Sequence, residues 1–122
     1  MTVQELYNEI GGNYESAKRV MMMDSLIARF IVKLPEDPSF DRLMAGWEGW
    51  DETAMFEGAH AMKGVCANLG LDSLSAAAAA VTEEFRPGGA RKMDDEALNS
   101  RLAALKEDYE RTVEAICAFA GQ

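Results

Sequence analysis

Chemistry in this chain has few places to sit. Among 122 residues there is one histidine, His60, with Lys63 three residues on and Gly64 four residues on. A lone imidazole cannot anchor a multi-histidine zinc or iron site. No serine, cysteine or acid is paired with it in a nucleophile–base arrangement, so hydrolytic chemistry is disfavoured. There is no Gly-rich nucleotide loop and no carboxylate cluster with Mg²⁺ spacing near His60. The two cysteines, Cys66 and Cys117, form no CxxC pair and suggest reduced thiols. If a histidine acts in this protein, it acts alone, and it is His60.

The composition narrows the partners. With 12 basic and 21 acidic residues the formal net charge is −9. Such a surface repels phosphate backbones and anionic membranes, so neither nucleic acid nor membrane is an expected partner. No run of about 18 apolar residues could span a bilayer. The N-terminus lacks the basic and apolar regions of a secretory signal, and the expected location is the cytoplasm.

Helix-type periodicity dominates, and all three prolines fall between helical patterns. Thr2 and Glu5 suggest a capping box for a short first helix, ended by Gly11-Gly12. Asn13 caps a long second helix, 13–34, with a stripe of Val20, Met23, Ile27, Phe30, Ile31 and Leu34. Ser39 caps a short third helix ending near Gly49. Asp51 caps a fourth, 52–69, closed by Gly70. Asp72 or Ser73 starts a fifth, 73–86, before Pro87-Gly88-Gly89. Asp94 caps a last long helix, 94–119, with 4-3 spacing from Leu98 to Phe119. The Ala76–Ala80 run reads as helix-forming filler. These patterns predict one all-α domain over 1–122: an antiparallel four-helix bundle of the four long segments, with short flanking helices.

Helical phase places the histidine. The apolar stripe of the fourth helix is Met55, Ala59, Met62, Cys66 and Leu69. At 100° per residue, His60 lies about 140° from its centre and faces outward. Cys66 lies in the stripe as a core thiol. Phe56, Glu57, Lys63 and Gly64 share the face of His60, with Ala67 and Asn68 one turn on. A mid-helix glycine costs about 1 kcal/mol relative to alanine, which makes Gly64 unexpected on a plain solvated face. Phe56 is apolar yet about 100° from the core centre. Met22 and Leu26 lie off the stripe of the second helix; they either form an apolar docking patch or pack beneath the first helix.

The segment Ala59-His60-Ala61-Met62-Lys63-Gly64-Val65-Cys66-Ala67-Asn68-Leu69-Gly70, with Leu74 after it, resembles the signature of histidine-containing phosphotransfer (HPt) domains. That pattern is His-x-x-Lys-Gly, a glycine at the helix end and a leucine in the next helix. Ala61-Met62 departs slightly from it, but Met62 keeps the core position. The resemblance implies a four-helix bundle with an exposed phosphoacceptor, His60, reacting through Nε2. It implies that Lys63 offsets phosphoryl charge and that Gly64 leaves room for a partner. Phe56, Ala67, Asn68, Met22 and Leu26 would support docking. The expected partners are response-regulator receiver domains, and a hybrid sensor kinase upstream. No cofactor or metal is expected on this chain, because the Mg²⁺ and the acceptor aspartate would sit on the receiver. Imidazole titrates near neutrality, so a nucleophilic fraction exists. Phosphoryl transfer needs in-line geometry and charge neutralisation more than covalent help. The implied protein is a monomeric phosphoryl carrier and not an enzyme in its own right. The alternative is a helical interaction module that regulates a kinase or receiver without phosphorylation.

Overall fold

A computed structural model describes residues 1–122 as seven α-helices: α1 (Val3–Ile10), α2 (Tyr14–Met21), α3 (Asp24–Ile31), α4 (Ser39–Gly49), α5 (Glu52–Asn68), α6 (Asp72–Glu84) and α7 (Asp95–Ala120). One 3₁₀ turn, Leu34–Glu36, precedes α4, and there are no strands. The protein is all-α, as the periodicity predicts.

The central bundle is α4 to α7, each antiparallel to the next. Side chains and backbones in register show this directly. A Cβ on Gly58 of α5 would lie 2.6 Å from the Leu43 nitrogen, and one on Gly46 of α4 would lie 2.8 Å from the Met55 nitrogen. The two helices therefore approach as closely as their glycines permit. Between α5 and α6, Ser75 Oγ donates to the Lys63 carbonyl at 3.1 Å. Between α6 and α7, Ser73 Oγ donates to Asp108 at 3.2 Å. The ring closes where Phe40 of α4 stacks on Tyr109 of α7 at 3.8 Å, and Trp47 Nε1 donates to Asn99 at 2.8 Å. Buried inside are Met55, Ala59, Met62 and Cys66 from α5, with Leu98, Leu102, Leu105 and Ile116 from α7.

This corrects the predicted 13–34 helix in two ways. It is two helices, and the fourth bundle member is α4 instead. Ala17 and Ile27 are both buried, yet ten residues of continuous helix would rotate one from the other by about 80°. The chain reconciles them by breaking: Met22 adopts a left-handed conformation (φ 72°) and Met23 is extended. The break is braced, because Lys18 Nζ donates to both Tyr14 Oη (3.1 Å) and Asp24 (2.9 Å) while Tyr14 also donates to Asp24. As a result Val20, Met23 and Phe30, expected in the stripe, are exposed, and only Ile27, Ile31 and Leu34 of that stripe are buried.

The helix starts that the sequence marks are capped as expected with two exceptions. Thr2 and Glu5 form the capping box, and Asn13, Asp51 and Asp94 cap as expected. At α5 the Gly70 N–H bonds the Ala67 carbonyl at 3.1 Å and the Leu71 N–H bonds Cys66 at 2.9 Å. That is the paired closure of a Schellman end, with Gly70 at φ 71°. Neither Asp72 nor Ser73 caps α6. Buried Leu71 holds that position without a side-chain bond, because Asp72 already lies in the helix and accepts from Asn13. Nor does Ser39 cap α4: it is the first helical residue, and its N–H donates to Asp37 at 2.9 Å. The α6–α7 loop is held by the buried Glu84 carboxylate, which accepts from the Lys92 and Met93 N–H groups.

Two outcomes follow from this packing. Gly58→Ala forces a methyl into the Leu43 backbone and should destabilise by about 1–3 kcal/mol, read as a lowered midpoint in urea unfolding. Burial pushes the Cys66 thiol up to about 12, with Asp37 and Asp108 adding to the effect. At pH 8 the native protein should therefore incorporate one equivalent of iodoacetamide at exposed Cys117 and none at Cys66. Labelling of both in the folded state would contradict the buried position of Cys66.

Candidate functional site

The outward position of His60 starts from Gly58. Two residues advance an α-helix by about 200°, so seating Gly58 against Leu43 turns His60 to the opposite side. His60 is exposed, with Ala61, Gly64, Ala67 and Asn68, while Ala59 and Met62 beside it are buried. Phase alone located this face correctly.

Gly64 and Gly58 differ in what they face. A Cβ added at Gly64 would meet nothing within 4 Å. No packing inside this chain requires glycine there. The open surface over the helix, one turn from the imidazole, is free for something outside the chain.

Phe56 is half-buried against the core edge and lies parallel to the His60 ring, with an interplanar angle of 4° and centroids 5.7 Å apart. Arg86, from just beyond α6, stands over the Phe56 ring at 5.7 Å. Sequence patterning did not bring Arg86 here, because its approach depends on how α6 crosses α5. Glu83 holds Arg86 through bonds of 2.6 and 3.2 Å. Those bonds from Arg86 keep the Glu83 carboxyl below its usual range, with smaller contributions from the charges of Arg86, Lys63 and Lys92. Glu57 is engaged with Arg42 at 3.1 Å. Lys63 is half-buried and enters no ion pair. Glu57 and Glu83 are thus paired with arginines, and the Lys63 ammonium has no carboxylate partner.

Beside the His60 face runs an apolar groove of about 670 Å³. Its walls include Met22, Leu26 and Phe30 from the α2–α3 region and Val65 and Asn68 from α5. Met22 is 77% exposed and so does not pack beneath α1, while Leu26 is half-buried and lines the groove. Asn68 lies two turns, about 12 Å, along α5 from His60. Four of the five exposed large apolar side chains, Val20, Met22, Met23 and Phe30, gather at α2–α3. The groove escaped the sequence reading because the break at Met22 creates it. The ten-residue phase conflict between Ala17 and the Ile27 stripe was the signal available.

No group of three or more His, Cys, Asp or Glu side chains is arranged to hold a metal ion, and no helix is long and apolar enough to cross a membrane. Comparison with curated proteins and with solved structures finds no significant match. The sequence profile described as "Hpt domain" matches residues 25–115, which contain α4, α5 and α6 and the whole His60 face. With that match spanning most of the helical bundle, the chain belongs to the Hpt domain family, whose members mediate histidine phosphotransfer in phosphorelays.

Proposed function

We propose that this protein is a phosphoryl carrier in which His60 accepts a phosphoryl group from the aspartate of one receiver domain and donates it to another. The observation that carries the reading is an exposed imidazole beside a glycine whose missing side chain no internal contact explains.

In the forward step the lone pair of His60 Nε2 attacks the phosphorus of an aspartyl phosphate in line with the leaving carboxylate oxygen. An N–P bond forms, the O–P bond breaks, and the aspartate leaves as carboxylate. Nδ1 keeps its proton, so the ring becomes a phosphoimidazolium. The return step runs the same displacement with the next receiver's aspartate as nucleophile. The transition state spreads charge over the equatorial oxygens and needs neutralisation more than bond-making help. Lys63, one turn from His60 and unpaired, supplies one positive charge. The receiver supplies its Mg²⁺ and its acidic centre. Phe56, stacked on the imidazole, limits the ring's rotation before the partner arrives.

Docking would cover the open surface over Gly64, Ala67 and Asn68 and continue into the groove of Met22 and Leu26. Apolar burial there favours association, since the chain's net charge of −9 does not attract phosphate by itself. The reading implies a monomer acting in the cytoplasm, where receivers and hybrid kinases present their phosphorylated domains.

Incubation with a phosphorylated receiver and Mg²⁺ provides the test. The wild-type chain should gain acid-labile, base-stable phosphate, and His60→Gln should gain none while keeping stability within about 0.5 kcal/mol. Binding and regulation of a receiver that persist in His60→Gln, with no label in the wild type, would favour the non-phosphorylated interaction module instead. A second variant separates access from folding. Gly64→Gln should leave the helix as stable or raise it by up to about 1 kcal/mol. It should nevertheless slow transfer by about tenfold or more, a barrier rise of about 1.4 kcal/mol. Unchanged transfer by Gly64→Gln would remove the role given to that glycine.

A further inference from the structure

Residues 21–23 are three methionines in a row, at the break between α2 and α3. They precede residue 25, where the family match begins, so the match does not account for them. Met22 is 77% exposed and Met23 51% exposed, whereas Met55 and Met62 in the core are 0% and 1% exposed. The break sets this contrast. Met22 is held in its left-handed conformation by its N–H bond to Lys18 (2.7 Å), and the Tyr14–Lys18–Asp24 brace keeps the turn in place. Both thioethers are therefore held outside the helix surfaces. Met21 and Met22 line the apolar groove beside the His60 face, and Met23 is their exposed neighbour in sequence, outside the lining. At Met22 an exposed thioether side chain and the apolar groove wall coincide.

We propose that Met22 and Met23 are a reversible oxidation site that sets how tightly this face holds its partner. The proposal rests on the phosphocarrier reading above. With a peroxide as oxidant, the thioether sulfur attacks one peroxide oxygen. An S–O bond forms, the O–O bond breaks, and the other oxygen leaves as water. Sulfur loses two electrons and the peroxide gains them. A thiol-dependent sulfoxide reductase returns the two electrons and releases the oxygen as water. The sulfoxide is polar and chiral where the thioether was apolar and pliable. Burying it against an apolar partner surface strands its oxygen without a hydrogen-bond donor. Association should weaken while the chemistry at His60 is untouched.

The test treats the intact chain with dilute hydrogen peroxide, removes the peroxide with catalase, and then adds phosphorylated receiver. Peptide mass spectrometry of residues 20–29 should place oxygen on Met22 first and Met23 next, with Met55 and Met62 unmodified. Met1, 47% exposed at the N-terminus and outside the groove, serves as an internal comparison for exposure without position. Transfer by the oxidised chain should show a KM for receiver raised about tenfold with kcat kept, and a sulfoxide reductase should restore it. In the double variant Met22→Leu, Met23→Leu the ratio of transfer after peroxide to that before should stay near one, whatever its starting rate. Equal KM before and after oxidation overturns the proposal, as does peroxide sensitivity that survives in the double variant. If the untreated chain accepts no phosphoryl group from any receiver, the phosphocarrier reading fails first and the proposal falls with it.

Discussion

The close crossing of α4 and α5 through Gly46 and Gly58 is the contact on which the rest of the molecule depends. With a Cβ distance of 2.6 Å to the Leu43 nitrogen, no other residue fits at Gly58 without moving a backbone. This crossing fixes the rotation of α5 about its own axis. Rotation decides which residues of α5 enter the core and which leave it, because a helix presents one stripe to its neighbours. Met55, Ala59, Met62 and Cys66 go in, and His60, Gly64 and Asn68 go out. A mid-helix glycine usually lowers stability. In α5 that cost is met twice, once for packing at Gly58 and once, with no internal reason, at Gly64.

The far end of α5 is secured by a second glycine. Gly70 at φ 71° turns the chain, and a Cβ there would meet the Asn13 carbonyl at 2.4 Å. Asn13 in return donates its N–H to the Gly70 carbonyl at 2.7 Å and caps α2. Tyr7 adds a 2.6 Å bond from its hydroxyl to the Leu69 carbonyl. The carbonyls left open by the end of α5 are thus satisfied by the N-terminal helices, which ties α1 and α2 to the element that bears His60. A helix clamped at its middle and its end holds the imidazole's position more precisely than a loop would.

Charge is unevenly distributed along the chain. The chain carries −9 overall, yet the segment 14–33 has four cations against two carboxylates. Glu57, one turn before His60, is engaged by Arg42, and Glu83 by Arg86, whose guanidinium stands over Phe56. Such exposed pairs add little stability. They leave Lys63 as the cation on this face that enters no ion pair. The N-terminal helices contribute a different property, an exposed apolar wall of Val20, Met22 and Phe30, in which the unbranched Met22 is the most pliable side chain.

Sequence alone determined what depends on local repeat and local chemistry. The apolar stripe of α5 set its phase, and so the outward face of His60, Lys63, Gly64 and Asn68. Asn13, Asp51 and Asp94 marked helix starts because their side chains bond backbone N–H groups three residues on. The all-helical class followed from periodicity, and the HPt resemblance from spacing around one histidine. What failed was the reading of 13–34 as one helix and of α4 as peripheral. Each stretch is helical by local preference, so propensity could not reveal that Ala17 and Ile27 must meet the same core. Only the tertiary structure imposed that condition, and it broke the chain at Met22, exposed Val20, Met23 and Phe30, and opened the groove beside the site. The meeting of Arg86 with Phe56 was likewise decided by the crossing of α5 and α6. Helical phase is a property of one segment and can be read along it. Which segments share a core is a property of the whole chain, because burial is satisfied only when all of them are packed together.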